Sequence, residues 1–204
     1  EDMLDAFEAR HPEVRVVRLR PGLVFQRSAA SEIRRLFAGP LLPNRLIGLV
    51  PVIPDLPGLL VQAVHADDLA DAYRRAVLTR SARGAYNVAA EPPIDTAVLR
   101  RVVGARSAPT PVRALRAVVD AAWRLRLHPT PPGWLDLALG VPLMDCSRAV
   151  SELGWTPRSG ADDALGELLD GMRHGAGGPT PPLDPAAGGR FRVGELRSGV
   201  GSRV

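Results

Sequence analysis

The stretch VRVVRLRPGLVF, residues 14–25, mixes apolar side chains with arginines and then reaches Pro21 and Gly22. Its valines and leucine predict a β-strand over residues 14–20, because β-branched residues favour strands. A proline cannot donate to a central hydrogen-bond ladder, so the strand is predicted to end at Pro21. In open α/β sheets ligands bind beyond the carboxyl ends of the strands, so residues 20–23 are a candidate edge of a binding site. An ordinary turn that ends a strand is the alternative interpretation.

The flanking residues predict alternating helices and strands. Further strands are expected over residues 59–65 and 84–88. Helices are expected over residues 1–10, 31–37, 114–127 and 134–139, and after the predicted caps Ser31, Asp67 or Asp68, Asp95, Ser147 and Asp162. Residues 39–58 contain five prolines and predict a long ordered loop. Three strands separated by helices favour an α/β fold with a partial sheet.

The composition narrows the classes of function. All 26 basic residues among the 204 are arginines, there is no lysine, and the formal net charge is only +4. The arginines are scattered with few aromatic residues between them, so we expect no nucleic-acid binding. Cys146 is the only cysteine and no apolar run approaches the length of a membrane span, so we expect a cytoplasmic protein without disulfides, a metal site or a membrane contact.

Two further segments could carry chemistry. Residues 61–77, VQAVHADDLADAYRRAV, place His65 at a strand end, with Asp67 and Asp68 at a helix start. The helix dipole favours carboxylates there, and capping accounts for both without a catalytic role. Residues 147–157, SRAVSELGWTP, form an amphipathic helix followed by glycine, tryptophan and proline, which predicts structural packing.

Four motifs in this order resemble the C-terminal portion of an extended short-chain dehydrogenase/reductase, the NAD-dependent epimerase/dehydratase family. The motifs are RLRPGLVF at 18–25, VHADDLADAYRRAV at 64–77, GAYNVAA at 84–90 and DCSRAVSELGWTPRSGADDALGELLDG at 145–171. The resemblance covers about residues 1–171. Gln26 and Arg27 depart from the family's usual Gly-Pro after the aromatic residue.

The resemblance implies a partial Rossmann-type parallel sheet with a mostly helical substrate-binding lobe. Residues 1–107 would form the α/β core with a substrate loop, residues 108–174 the helical lobe, and residues 175–204 a disordered tail rich in Gly, Pro and Arg. Pro21, Gly22, Leu23 and Val24 would border the nicotinamide of NAD or NADP. Gln62 and His65, with the loop around residues 41–57, would line the substrate side.

The family's catalytic groups are not found in this sequence. No glycine-rich turn follows a strand, and without lysine there is no Tyr-x-x-x-Lys pair; Tyr73 is followed four residues later by Val77, and Tyr86 by Ala90. We therefore assign no catalytic residue, and expect the chain alone to be inactive and to partner a missing N-terminal half of its parent protein.

The expected function is the substrate-binding portion of an NAD(P)-dependent epimerase, dehydratase or reductase that acts on a carbon bearing a hydroxyl or carbonyl group. Its partners would be a small-molecule substrate and, in a possible homodimer, a second copy. The alternative is a non-catalytic module for nucleotide sensing or protein interaction.

Overall fold

The computed structural model describes residues 1–37, 50–125, 127, 129–180 and 183–186. In this part of the chain the helices are α1 (Asp2–Arg10), α2 (Ala30–Phe37), α3 (Ala66–Leu78), α4 (Thr96–Val103), α5 (Val112–Arg124), α6 (Gly133–Gly140), α7 (Ser147–Leu153) and α8 (Ala161–His174). The strands are β1 (Val17–Pro21), β2 (Leu23–Phe25), β3 (Val52–Asp55), β4 (Val61–His65), β5 (Gly84–Val88), β6 (Ala90–Ile94) and β7 (Arg106–Pro109).

Most of the strand pairs are parallel, as the sequence predicted for an α/β fold. β1 pairs with β5, β2 with β4, and β3 with β7, each in parallel register. β6 adds to the other edge of β4 in the antiparallel direction. Among the described strands, these pairs form three small sheets rather than one continuous sheet.

The first strand ends at Pro21 as predicted, but it begins at Val17 rather than Val14. Pro21 is the last residue of β1 and lies opposite Val88 of β5; Gly22 then donates its own N–H to the Val88 carbonyl at 3.0 Å. The chain continues directly into β2, whose Leu23 lies opposite Ala63 of β4. A proline fits here because it stands at the last position of the ladder. The Pro-Gly pair therefore marks a change of strand partner, not the end of extended backbone.

β4 lies at the centre of the core and is buried on both faces. Ala63 packs into one apolar cluster with Phe25 of β2 and Leu168 of α8. Val64, the next residue along β4, packs into a second cluster with Tyr86 and Trp155. Successive side chains of a strand point to opposite faces, so this single strand joins the two clusters.

Trp155 connects the segment after α7 to the start of α3. Its indole is 1% exposed and donates through Nε1 to the backbone carbonyl of Asp68 at 2.9 Å. The Asp68 carboxylate is also buried and accepts from the N–H of Ser159 at 3.0 Å. The predicted packing role of residues 147–157 is therefore confirmed, and Asp68 is a partner of this segment.

Of the predicted helix N-caps, the cap of α4 is confirmed and the cap of α3 is not. Asp95 caps α4 as expected, with its carboxylate accepting from the N–H of Val98 at 2.7 Å. The cap assigned to Asp67 or Asp68 was wrong, because Nδ1 of His65 accepts from the N–H of Asp67 at 3.2 Å and His65 is the N-cap of α3.

The other three assigned caps were also wrong. Ser31 lies inside α2 and donates its hydroxyl to the carbonyl of Ala176 at 2.7 Å, a tertiary contact. α7 and α8 have Cys146 and Gly160 at their N-cap positions, and neither helix has a side-chain cap there. The sequence pattern cannot distinguish a serine that caps a helix from one that bonds a distant carbonyl.

Four of the described strands were not predicted: β2, which directly follows β1, and three strands whose sequences contain proline. β3 is VIPD, β6 is AEPPI and β7 is RSAP. β3 interrupts the loop predicted over residues 39–58, of which residues 39–49 lie outside the described residues. Two of these strands pair only with each other, and β6 lies at a sheet edge, where the missing N–H of proline is tolerated.

A charged cluster covers the outer edge of β5. The Tyr86 hydroxyl donates to Oε2 of Glu152 at 2.7 Å, and Arg148 donates to Oε1 of the same carboxylate at 2.8 Å. The Arg148 guanidinium lies 4.4 Å from the centre of the Tyr86 ring and also donates to the carbonyl of Ala85 at 2.9 Å. Hydrogen bonds from Arg148, and next from Tyr86, hold the pKa of Glu152 below its ordinary 4.5.

This cluster predicts part of the acid sensitivity of the fold. A carboxyl whose pKa is lower in the folded than in the unfolded state stabilises the fold above its unfolded pKa, and this contribution disappears as the pH falls through the folded value. We expect Glu152→Gln to flatten the loss of unfolding free energy below pH 4.5, measured by urea unfolding across pH. Glu13→Gln, at an exposed glutamate, is the control. Equal acid slopes for the wild type and Glu152→Gln would contradict the prediction.

Candidate functional site

A cavity of about 540 Å³ opens beyond the carboxyl end of β1. Its base is the junction between β1 and β2 together with the start of β4, and its walls come from α2, α5, α6 and the segment that precedes α7. The lining residues are Pro21, Gly22, Leu23, Phe37, Leu60, Val61, Gln62, Val119, Thr130, Pro131, Trp134, Leu135, Leu137, Ala138, Val141, Pro142, Leu143 and Met144. The cavity therefore joins the strand junction to the helical part of the chain.

Gln62 fastens one wall to the base. Its side-chain Nε2 donates to the carbonyl of Met144 at 3.1 Å, and its Oε1 accepts from the N–H of the same residue at 2.7 Å. This side chain is buried, so both amide ends satisfy backbone groups that would otherwise lack partners. Gln62 therefore positions residues 141–144 over β4.

Contacts between the wall elements hold the helical walls in place. Arg116 of α5 forms a forked ion pair with Asp136 of α6, at 2.9 Å from Nε to Oδ1 and from Nη2 to Oδ2. The Trp134 ring meets Phe37 edge-on, with ring centroids 5.2 Å apart. The hydroxyl of Thr130 donates to the carbonyl of Leu36. These contacts give α5 and α6 a defined position relative to α2.

The structure brings most of the predicted site residues together. Pro21, Gly22, Leu23 and Gln62 all line the cavity. Val24 does not, since it follows Leu23 on an extended strand and its side chain points to the opposite face. Of the predicted substrate loop, residues 50–57 do not line the cavity and residues 41–49 lie outside the described part of the chain.

His65 lies away from the cavity, at the other end of β4 from Val61 and about 10 Å along the strand from Gln62. Its Nδ1 caps α3, and its Nε2 is 3.2 Å from Oε2 of Glu167 on α8. The imidazole is largely buried between these two helices. Its contacts are thus those of a side chain that orders the junction of β4, α3 and α8.

Sequence reasoning missed the contribution of α6. Trp134, Leu135, Leu137 and Ala138 all line the cavity from this helix. In the structure Trp134 is 46% exposed, so its ring is available to a ligand in the cavity. A tryptophan between prolines and leucines in a short helix was the available signal.

Neither described tyrosine has the environment of a catalytic acid or base. Burial raises the pKa of Tyr86, and its hydrogen bond to Glu152 adds to this, which disfavours the phenolate. Tyr73 lies exposed on α3, outside the cavity. Burial likewise raises the pKa of the Cys146 thiol, which disfavours the reactive thiolate.

The described residues offer neither a metal site nor a membrane-spanning helix. They contain no group of histidine, cysteine, aspartate and glutamate side chains placed to hold a metal ion. No helix among them has both the length and the apolar character needed to cross a membrane.

The Gln62 bridge leads to a prediction for stability. Gln62→Leu removes both hydrogen bonds to the part-buried backbone of Met144, and leaving a buried group without its partner costs about 1–3 kcal/mol. We expect a loss of unfolding free energy in that range, measured by urea unfolding at neutral pH. Gln26→Leu is the matched control, since the Gln26 side chain makes no capping bond. Equal stabilities for both variants would show that the bridge contributes nothing.

The chain resembles solved structures of nucleotide-sugar epimerases. UDP-glucose 4-epimerase from Stenotrophomonas maltophila, with bound NAD and formylated UDP-arabinopyranose, matches 85% of this chain at TM-score 0.53 and 16% identity. UDP-glucose 4-epimerase from Bifidobacterium longum, in complex with NAD+ and UDP, matches 85% at TM-score 0.51 and 15% identity. The chain folds like half of a UDP-sugar epimerase. It spans 52% of each of these two chains.

At this identity the likeness shows the fold alone. It confirms the predicted fold class, an α/β arrangement with a partial Rossmann-type sheet. No protein-family model matches the sequence, and a comparison with curated proteins finds no match. The likeness therefore identifies the fold around the cavity but not the ligand. The ligand has to be inferred from the residues that line the cavity.

Proposed function

We propose that this chain is the substrate-binding portion of an NAD(P)-dependent epimerase, dehydratase or reductase of the extended short-chain dehydrogenase family. The observation that supports this most is the cavity at the carboxyl end of β1, because open α/β sheets bind ligands beyond the carboxyl ends of their strands. The substrate would carry a hydroxyl or carbonyl group at the reacting carbon. The chain would hold and orient that substrate.

The residues present fit one side of a nicotinamide cofactor. Pro21, Gly22 and Leu23 form a short rim of the cavity, and the Leu23 side chain is exposed there. Such a rim would hold the ring through van der Waals contact, with Val24 behind it. When bound, the nicotinamide supplies hydride transfer. The groups that would bind its pyrophosphate are not assigned to this chain, because no glycine-rich turn follows a strand in the sequence.

The proton-transfer groups are likewise assigned to a partner segment. The sequence has no lysine, and the environment of Tyr86 favours the neutral phenol. In the described part of the chain β1 pairs with β5 alone, so its second edge can accept another strand. Met3 and Leu4 are exposed apolar residues of α1, whose acidic side chains pair with Arg18 of β1. Val77 is exposed on α3, which packs on β1. We propose that the N-terminal half of a parent protein pairs there and completes the site.

The coding sequence that precedes Glu1 tests this proposal. An in-frame segment with a glycine-rich turn after a strand and a Tyr-x-x-x-Lys pair would support it, and an open frame without either would contradict it. The pure 204-residue chain should form no NADH from NAD+ with any hydroxyl substrate, since a lost general acid or base alone costs about 10²–10⁴-fold. Detectable turnover by the chain alone would overturn the assignment of catalysis to the other half.

The free edge of β1 also favours a second candidate, a non-catalytic protein-interaction module. An unpaired parallel strand can accept a strand from another chain, including a second copy of this one. Sedimentation of the chain over a range of concentrations separates the cases. Reversible dimers that Val17→Pro abolishes would support pairing between copies through the β1 edge, since the N–H of Val17 faces the edge that β5 does not occupy. A monomer at all concentrations would leave the strand of a parent protein as the partner.

A further inference from the structure

We propose that the cavity binds a largely apolar alcohol or ketone and not a nucleotide sugar. This inference rests on the proposed function and names the class of substrate for the same site. A volume of about 540 Å³ suits a drug-sized molecule. The chemistry of the lining decides the class.

The lining is dominated by aliphatic and aromatic side chains. Leu23, Leu60, Leu137, Leu143 and Trp134 all line the cavity while 37% or more of each side chain stays exposed. Their apolar surface can therefore be covered further by a ligand. Burial of apolar surface is the main source of affinity in such a cavity.

The polar groups of the lining are already engaged within the protein. The Gln62 amide is bonded at both ends to Met144, and the Thr130 hydroxyl donates to Leu36. Pro21, Pro131 and Pro142 contribute no backbone N–H. Few donors therefore face a ligand, and a sugar with several hydroxyl groups would lose more hydrogen bonds to water than it gained.

Charge separates the two classes further. Among the described residues that line the cavity, none carries a formal charge, although the chain has 26 arginines. Arg116, which lies three residues before the cavity-lining Val119 on α5, is engaged by Asp136. A nucleoside diphosphate brings at least two negative charges, and an apolar wall cannot compensate their loss of hydration. An uncharged ligand has no such cost.

The test is a pair of titrations on the full 204-residue chain. Nile red, an uncharged apolar fluorophore, should bind with enhanced emission, and UDP followed by calorimetry should not. Val119→Asp, which places a carboxylate in the wall, should weaken Nile red binding by at least about tenfold, since 1.4 kcal/mol corresponds to a factor of ten. Val118→Asp is the matched control on the adjacent, exposed residue of α5, which does not line the cavity, and should leave binding unchanged.

A second pair of variants covers the case in which the added charge unfolds α5. Ala138→Phe fills the cavity from α6 without adding charge and should also weaken Nile red binding, whereas Ala117→Phe, on the exposed face of α5, should not. Equal Nile red affinities for Ala138→Phe and wild type would overturn the inference. UDP binding at micromolar concentration would also overturn it and leave the proposed function standing, since a nucleotide sugar would then be the substrate.

Discussion

Replacement of Trp155 with alanine is expected to destabilise the protein by about 3–5 kcal/mol, the cost typical of truncating a buried tryptophan. The side chain is 1% exposed and belongs to the same apolar cluster as Tyr86 and Val64. Its loss leaves a cavity in that cluster and removes the indole donor from the carbonyl of Asp68. Because typical domains are stable by only about 5–15 kcal/mol, a large part of the protein should then be unfolded under mild denaturing conditions.

Urea unfolding followed by circular dichroism measures this loss. Trp134→Ala is the matched control, because it removes the same side chain from a half-exposed position on α6. We expect the control to cost less than half as much. Trp155→Phe should recover part of the apolar contact but not the hydrogen bond to Asp68, so its stability should lie between those of the wild type and Trp155→Ala. A cost for Trp155→Ala no larger than that for Trp134→Ala would refute the packing role.

The elements that local rules determine were predicted well. β5 was placed at residues 84–88 as observed, and Asp95 was identified as the cap of α4, because strand propensity and capping depend on neighbouring residues. His65 shows where local rules fail. Histidine ranks low as an N-cap, and its ring replaces the expected aspartates only because β4 and α8 hold it in place.

The cavity was predicted only in part, because some of its lining residues come together through contacts between distant parts of the chain. Pro21, Gly22 and Leu23 were identified through a family resemblance, and all three line it. The hydrogen bonds between Gln62 and Met144 join residues 82 positions apart, and no pattern in a single sequence indicates such a pair. The α6 wall depends on the contact between Trp134 and Phe37, and these two residues are also far apart in the chain. Long-range packing therefore accounts for what sequence reasoning missed.

Gly22 is the residue on which the junction between β1 and β2 depends most. A Cβ added to it would lie 2.6 Å from the carbonyl oxygen of Gln62 and 2.9 Å from the carbonyl carbon. Its N–H is fixed by the carbonyl of Val88 on the other side. Both neighbours are backbone groups, one in each sheet, so neither can move aside as a flexible side chain would. A methyl group at this position must separate the two ladders.

We therefore expect Gly22→Ala to cost about 3 kcal/mol, the upper end of the range for overpacking, with a lower unfolding midpoint in urea. Gly133→Ala is the matched control: a Cβ there meets no other atom within 4 Å, and alanine in place of glycine in a helix is worth up to about 1 kcal/mol, so this variant should be as stable as the wild type or slightly more stable. Since Gly22 and Gln62 both line the cavity, Gly22→Ala should also weaken Nile red binding, whereas Gly133→Ala should not. Equal unfolding midpoints for the two variants would mean that the junction accepts a side chain, and the fixed geometry inferred for the rim of the cavity would then be wrong.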